Sequence, residues 1–158
     1  MEHKIYADVP YFIDFSKVLN QSLAGKGAQD TLKKQVKSAT EKYNNQEKKI
    51  REEEKDLISK KKLITKEEYQ KKVQDLRSKI AKLQKSRQET FSKISKSRLS
   101  AKEDLLKALN PIMLKFMEDK KIRIILDKKS ILLGDTTLEI TSEIIDILNK
   151  ELKSIKIN

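Results

Sequence analysis

The segment Ile64-Thr65-Lys66-Glu67-Glu68-Tyr69 interrupts a long helical pattern and determines how this chain folds. Thr65 followed three residues later by Glu68 has the form of a capping box, which marks the first turn of a helix. The sequence therefore predicts that one helix ends near Lys62 and that a second begins at Lys66.

Apolar residues on both sides of this turn recur about every seven positions, and residues 28–110 contain neither glycine nor proline. This pattern predicts two long helices packed as an antiparallel coiled-coil hairpin with its tip near residues 60–67. Counting outward from the turn predicts four facing pairs: Leu57 with Val73, Ile50 with Ile80, Tyr43 with Arg87, and Val36 with Ile94.

The two ends of the chain predict a small β/α body. Residues 10–14 read as a strand, and the apolar runs 122–127 and 130–133 read as two further strands joined as a hairpin. Residues 23–27 contain two glycines and predict a turn before the first long helix. Thr141 is expected to cap a final helix.

The predicted fold is mainly α with a small β body: residues 1–27 and 111–158 form the body, and residues 28–110 form the projecting arm. Three short strands cannot close a barrel, and their open edges favour self-association. The residues expected to form this oligomerisation body are Tyr11, Phe12, Ile13, Ile122, Ile124, Leu126, Ile131, Leu132 and Leu133.

Positive charge is concentrated at the hairpin tip. The chain has 36 Lys+Arg against 24 Asp+Glu, a net charge of +12. Residues 60–87 hold 11 basic and 3 acidic residues, a net charge of +8 that predicts an anionic partner. The candidate binding residues are Lys60, Lys61, Lys62, Lys66, Lys71, Lys72, Arg77, Lys79, Lys82 and Lys85, with the apolar Ile58 and Leu63.

No catalytic constellation is visible in the sequence, so an enzyme is not predicted. Cysteine is absent, which excludes disulfides and thiolate metal sites. Gly25-Lys26-Gly27 lacks the flanking residues of a phosphate loop, and His3 is the only histidine. We therefore predict no cofactor and no metal.

Two other classes of function remain open from the residues alone. A basic coiled coil can bind nucleic acid through its phosphates, although we expect such binding to be non-specific. The hairpin could also be a purely structural spacer.

Both ends of the chain resemble one family. Residues 11–22 and 24–29, with Pro111-Ile112, residues 124–127, 138–144 and 148–150, are similar to the corresponding patterns of the Skp (OmpH-like) periplasmic chaperones. The order of strand, basic hairpin, strand pair and terminal helix matches over about residues 10–150.

The resemblance implies a homotrimer whose strands complete a shared barrel and whose arms enclose a cavity. It further implies a holdase that binds unfolded outer-membrane proteins without ATP in the periplasm of a Gram-negative bacterium. Anionic lipid or lipopolysaccharide remains open as a partner. The first residues, Met1–Lys4, do not read as a secretory signal, so we expect an export signal to have been removed.

Overall fold

A computed structural model describes residues 9–157 of the chain. Residues 1–8 of the predicted body, including His3, lie outside the described residues.

The described chain is mainly α-helical with one small sheet, which confirms the predicted fold class. In chain order its elements are β1 (Tyr11–Ile13), α1 (Phe15–Gln21), α2 (Leu23–Ser59), α3 (Lys66–Lys120), β2 (Ile125–Asp127), two 3-10 turns (Lys128–Ser130 and Thr136–Leu138) and α4 (Thr141–Glu151).

The chain divides into two compact units. The body unit comprises the residues up to Thr31 together with those from Ser97 onward, and the hairpin unit comprises Leu32–Lys96. The sequence placed these divisions at residues 27/28 and 110/111. Pro111 lies inside α3, which continues through it to Lys120.

The body unit has one apolar core formed by both ends of the chain. Its members lie on β1, on α1 and the start of α2, on the last third of α3 and on α4: Ile13, Val18, Ala24, Leu105, Leu109, Ile112, Met113, Phe116, Ile122, Ile140, Ile144 and Leu148. Burying these side chains supplies the main stabilisation of this unit.

The sheet differs from the prediction. β1 pairs with β2 in parallel, with Phe12 opposite Leu126, and a single further bridge joins Phe12 to Glu139. The predicted strand at residues 130–133 is wrong. The Asp127 side chain accepts a hydrogen bond from the Lys129 backbone N–H and caps a 3-10 turn, so the chain leaves the sheet direction at this point.

The predicted turn at residues 23–27 is also wrong, because these residues form the first turns of α2. The Ser22 side chain accepts a hydrogen bond from the Gly25 N–H at 3.2 Å, and the Ser22 carbonyl accepts one from the Lys26 N–H at 2.8 Å. Ser22 therefore caps α2, and this cap outweighs the low helix propensity of the two glycines.

Thr141 is the first residue of α4 but does not cap it. Its hydroxyl accepts a hydrogen bond from the Asp14 backbone N–H at 3.0 Å and donates one to Glu139 at 2.9 Å. The residue before the helix, Ile140, makes no side-chain cap. The Thr141 hydroxyl is thus used to join α4 to the segment between β1 and α1.

Candidate functional site

The hairpin unit is held in register by hydrogen bonds and ion pairs between α2 and α3. The Tyr43 hydroxyl lies 2.8 Å from the Ser86 carbonyl oxygen, and ten residues further along α2 Glu53 pairs with Lys79 at 2.6 Å. As the residue numbers increase along α2, the residue numbers of the partners on α3 decrease. The two helices are therefore antiparallel, as predicted.

Tyr43 is the most deeply buried side chain of this seam, at 1% exposure. Its hydroxyl contacts the hydroxyls of Ser86 at 3.0 Å and Thr90 at 2.6 Å, and its ring centroid lies 6.3 Å from that of Phe91. The hydrogen bonds with Ser86 and then Thr90 lower the pKa of Tyr43 below its usual value. The sequence identified Tyr43 as a seam residue but did not reveal its hydroxyl partners.

One predicted seam position is wrong. Val36 is exposed, and the buried positions in this part of α2 are Leu32 and Ala39. A straight helix drifts by about 20° per heptad relative to a strict period of seven. The line of residues counted back from the turn therefore rotates out of the interface by the time it reaches Val36.

The turn between the helices has the capping box that the sequence predicted. The Glu68 backbone N–H donates to the Thr65 hydroxyl at 3.2 Å, and the Thr65 N–H donates to the Glu68 carboxylate at 3.3 Å. Helix α3 begins at Lys66 as predicted, whereas α2 ends at Ser59, three residues before the predicted Lys62.

All ten predicted cations are exposed. Three of them have carboxylate partners: Lys60 with Asp56 at 2.8 Å, Lys79 with Glu53 at 2.6 Å, and Lys85 with Glu89 at 4.0 Å. The Lys61 ammonium lies 5.6 Å from the centroid of the Tyr69 ring. Within residues 9–157, no ion pair is formed by the remaining members, Lys62, Lys66, Lys71, Lys72, Arg77 and Lys82.

Two exposed apolar side chains accompany these cations at the tip. Ile58 is 59% exposed and Leu63 is 80% exposed. The basic tip, defined here as residues 58–85, therefore presents cations and apolar groups together. Such a surface can attract anionic groups and at the same time bury small apolar areas of a partner.

A cavity of about 490 Å³ lies between α2 and α3 beside the tip. The sequence did not predict it. The signal that could have revealed it is the presence of two charged residues, Glu53 and Lys60, on a line of seam positions that recur every seven residues and that begins with the apolar Leu32 and Ala39.

The predicted oligomerisation residues divide into three groups. Phe12, Ile13 and Ile122 are buried in the body unit, and Tyr11 and Ile131 are partly buried. Ile124, Leu126, Leu132 and Leu133 are exposed, and the last two are 96% and 90% exposed. The exposed group is the surface that self-association would cover.

No group of acidic or histidine side chains in the described part of the chain could hold a metal ion. Among the same residues, no helix is both long and apolar enough to cross a membrane.

Comparison with known proteins identifies the family. The model of the OmpH-like outer membrane protein family matches residues 11–148. The chain therefore belongs to the OmpH-like family, the Skp family that its sequence resembles. Members of this family are not enzymes, in agreement with the sequence prediction.

A solved structure supports the fold. The crystal structure of a candidate outer membrane chaperone (OmpH-like) from Caulobacter crescentus CB15 is similar to this chain, with a TM-score of 0.87 and 18% sequence identity. The similarity covers 99% of this chain and 94% of the Caulobacter chain. No curated protein matches this chain.

Proposed function

We propose that this chain is an ATP-independent holdase chaperone that binds unfolded outer-membrane β-barrel proteins and prevents their aggregation in the periplasm. The family and the structural likeness support a chaperone role. The observation that carries the holdase mechanism is the basic tip, where exposed cations surround the exposed side chains of Ile58 and Leu63.

Many weak contacts are expected to bind the client. A single exposed ion pair contributes only about 0–1 kcal/mol, so no one lysine can supply the affinity. Several lysines and small apolar patches acting on one flexible client can do so through their high effective concentration. This mode of binding leaves the client mobile and needs no nucleotide.

The active species is proposed to be a homotrimer. The exposed side chains of Leu132 and Leu133 and the short sheet of the body unit support self-association. Joining copies would pair the open strand edges and could close a shared barrel. Three hairpins would then surround one cavity for the client.

Anionic lipid or lipopolysaccharide is a further candidate partner of the same tip. The feature that favours it is Leu63, an exposed apolar side chain that follows Lys60-Lys61-Lys62 in the turn. Nucleic acid would meet the same charges only through non-specific phosphate contacts.

Charge reversal at the tip tests the proposal. Changing Lys61, Lys62, Lys66 and Lys71 together to Glu should weaken binding of a urea-unfolded outer-membrane barrel protein at least tenfold and reduce its salt dependence. The matched control changes four exposed lysines outside the tip, Lys93, Lys96, Lys102 and Lys115, to Glu, with the same change in net charge.

Affinity can be measured by fluorescence anisotropy of the labelled client at two salt concentrations. Equal affinities of the tip variant and the unmodified protein would contradict binding at the tip. Equal losses of client affinity in the tip variant and the control would show that only net charge matters. That result would also contradict binding at the tip.

A further inference from the structure

The cavity lined mostly by residues of the basic tip is a groove that runs along one face of the hairpin. Its lining residues on α2 lie within 53–60 and those on α3 lie within 72–82. On each helix they recur at spacings of three and four, which places them in one row along the helix axis. The groove therefore follows the two helices over roughly ten residues of α3, about 15 Å.

The floor of the groove is apolar. Leu57 is buried, and Ile64 and Leu76 are half-buried, so part of their surface faces the groove. An apolar side chain entering the groove would remove this surface from water, which is favourable by about 25 cal/mol per Å² of apolar area.

The charged residues of the walls favour an anionic occupant. Glu53 is paired with Lys79 and Asp56 with Lys60, so these four charges compensate one another. Lys72 and Lys82 also line the groove and form no ion pair within residues 9–157.

Lys72 and Lys82 stand ten residues apart on α3, one towards each end of the groove. Asp75, also in the lining, is the only acidic group there without a cation partner in the described chain. The groove as a whole keeps one excess positive charge, since four lysines face three carboxylates. The two lysines without an ion pair therefore lie at separated points of the groove, and Asp75 and the floor residue Leu76 lie between them in the sequence.

We propose that this groove is a docking site for an extended segment of unfolded polypeptide that carries one apolar side chain between two carboxylates. In an extended chain, side chains at i, i+2 and i+4 point to the same side and span about 13 Å, because each residue advances about 3.3 Å. An acidic–x–apolar–x–acidic segment would thus place its apolar side chain on the leucine floor and its carboxylates near Lys72 and Lys82. This inference rests on the holdase function proposed above and names the client segment that the tip recognises.

The test uses the full chain and a fluorescein-labelled peptide with four copies of Asp-Thr-Leu-Thr-Asp, whose repetition raises a weak affinity into a measurable range. Two matched peptides replace each Asp with Asn or each Leu with Ser. Anisotropy should show at least fivefold weaker binding of both matched peptides. Equal binding of all three peptides would overturn the proposal.

Two variants locate the binding site. Ser78→Trp adds a bulky side chain to the wall of the groove, and Ser92→Trp makes the same change at an exposed position of α3 outside it. The Ser78 variant should lose at least fivefold in peptide affinity, and the Ser92 variant should bind as the unmodified protein does. Equal binding by both would place the peptide elsewhere and overturn the proposal.

A second pair of variants tests the cations without adding bulk. Lys72→Gln with Lys82→Gln should weaken binding of the Asp peptide at least fivefold and leave the Asn peptide unchanged. Lys93→Gln with Lys96→Gln, equal in charge and outside the groove, should have less than a twofold effect. The same loss in both double variants would show that only net charge matters, against the proposal.

Two further readouts separate this inference from its alternatives. If Ser78→Trp weakened binding to vesicles of phosphatidylglycerol but not to the peptide, the groove would be a lipid site and the proposal would be wrong. Suppression of client aggregation by the unmodified protein reports on the holdase function alone. A protein that suppresses aggregation but shows no groove-dependent peptide binding would retain the proposed function and lose this inference.

Discussion

The hydroxyl of Tyr43 on α2 lies 2.6 Å from the hydroxyl of Thr90 on α3, and Tyr43 is the most deeply buried side chain between the two helices. The same hydroxyl also meets the Ser86 side chain and backbone carbonyl. A buried polar group with several partners specifies one alignment of its two helices, because any slip leaves those partners unsatisfied.

Replacing Tyr43 with Phe should destabilise the hairpin unit. The ring is kept, but the Ser86 and Thr90 hydroxyls, which are exposed and half-buried respectively, lose their partner, at an expected cost of about 0.5–1.5 kcal/mol. Urea unfolding followed by circular dichroism measures the change. Tyr69→Phe is the control, since the described structure shows no hydrogen bond to its hydroxyl; equal losses in the two variants would contradict the role given to Tyr43.

Gly25 and Gly27 should respond in opposite ways to alanine. A Cβ at Gly25 would lie 1.9 Å from the Leu19 carbonyl oxygen, so the end of α1 would have to move, at a cost of about 1–3 kcal/mol. Gly27 has open space around it within α2, so alanine there should stabilise by up to about 1 kcal/mol. Thermal unfolding of the two variants checks both signs, and a loss of stability at both positions would contradict this packing.

The body unit should lose stability in acid partly through Glu139. Its carboxylate accepts a hydrogen bond from Lys128 at 2.7 Å, which lowers the pKa of Glu139 below its ordinary value of 4.5, with a smaller contribution from the Thr141 hydroxyl. Because the pKa is lower in the folded state, this stabilisation is complete above about pH 4.5 and is lost as the pH falls through the folded value.

Unfolding measured from pH 7 down to pH 3 should therefore show a smaller acid-dependent loss in Glu139→Gln than in the unmodified protein. Glu118→Gln, an exposed carboxylate on α3, is the control. Parallel stability profiles for Glu139→Gln and the unmodified protein would show that the contact with Lys128 does not contribute.

Leu132 and Leu133 test the proposed self-association. Changing both to Asp should shift the mass in analytical ultracentrifugation from trimer towards monomer, because the two exposed leucines would no longer bury apolar area between copies. Leu63 is an exposed leucine of the hairpin unit, and Leu63→Asp should leave the mass unchanged. A trimer that persists in the Leu132/Leu133 variant would place the contact elsewhere.

The helices could be predicted from the sequence because local sequence patterns determine where they begin and which residues they bury. The heptad pattern, the Thr65–Glu68 capping box and the absence of glycine and proline all act within a few residues of one another. The start of α3 at Lys66 and the burial of Tyr43 followed directly.

The body was less predictable because hydrogen bonds of single side chains override the preferences of whole segments there, in one case locally and in another over a long distance in the chain. Residues 130–133 have the composition of a strand, yet the cap formed by Asp127 turns the chain away. The Thr141 hydroxyl, a typical helix cap by sequence, bonds to Asp14, 127 positions away along the chain. No local pattern contains such information.

The candidate site was predictable as a charged region but not as a shape. The cations of the basic tip could be located from the sequence alone, because charged residues can be counted without knowing what they contact. The groove forms where side chains of α2 and α3 leave space between the two helices. Its presence depends on how Leu57 and Leu76 pack, which the sequence does not specify.

The central claim is that this protein holds unfolded outer-membrane proteins in a non-aggregated state. Light scattering after dilution of a urea-unfolded outer-membrane barrel protein into buffer tests it most directly, without nucleotide and with a slight excess of the chaperone over client. We expect scattering to stay near the level of the buffer and to rise again when the four tip lysines are reversed in charge. Scattering that climbs as fast with the protein as without it would show that the protein is not a holdase.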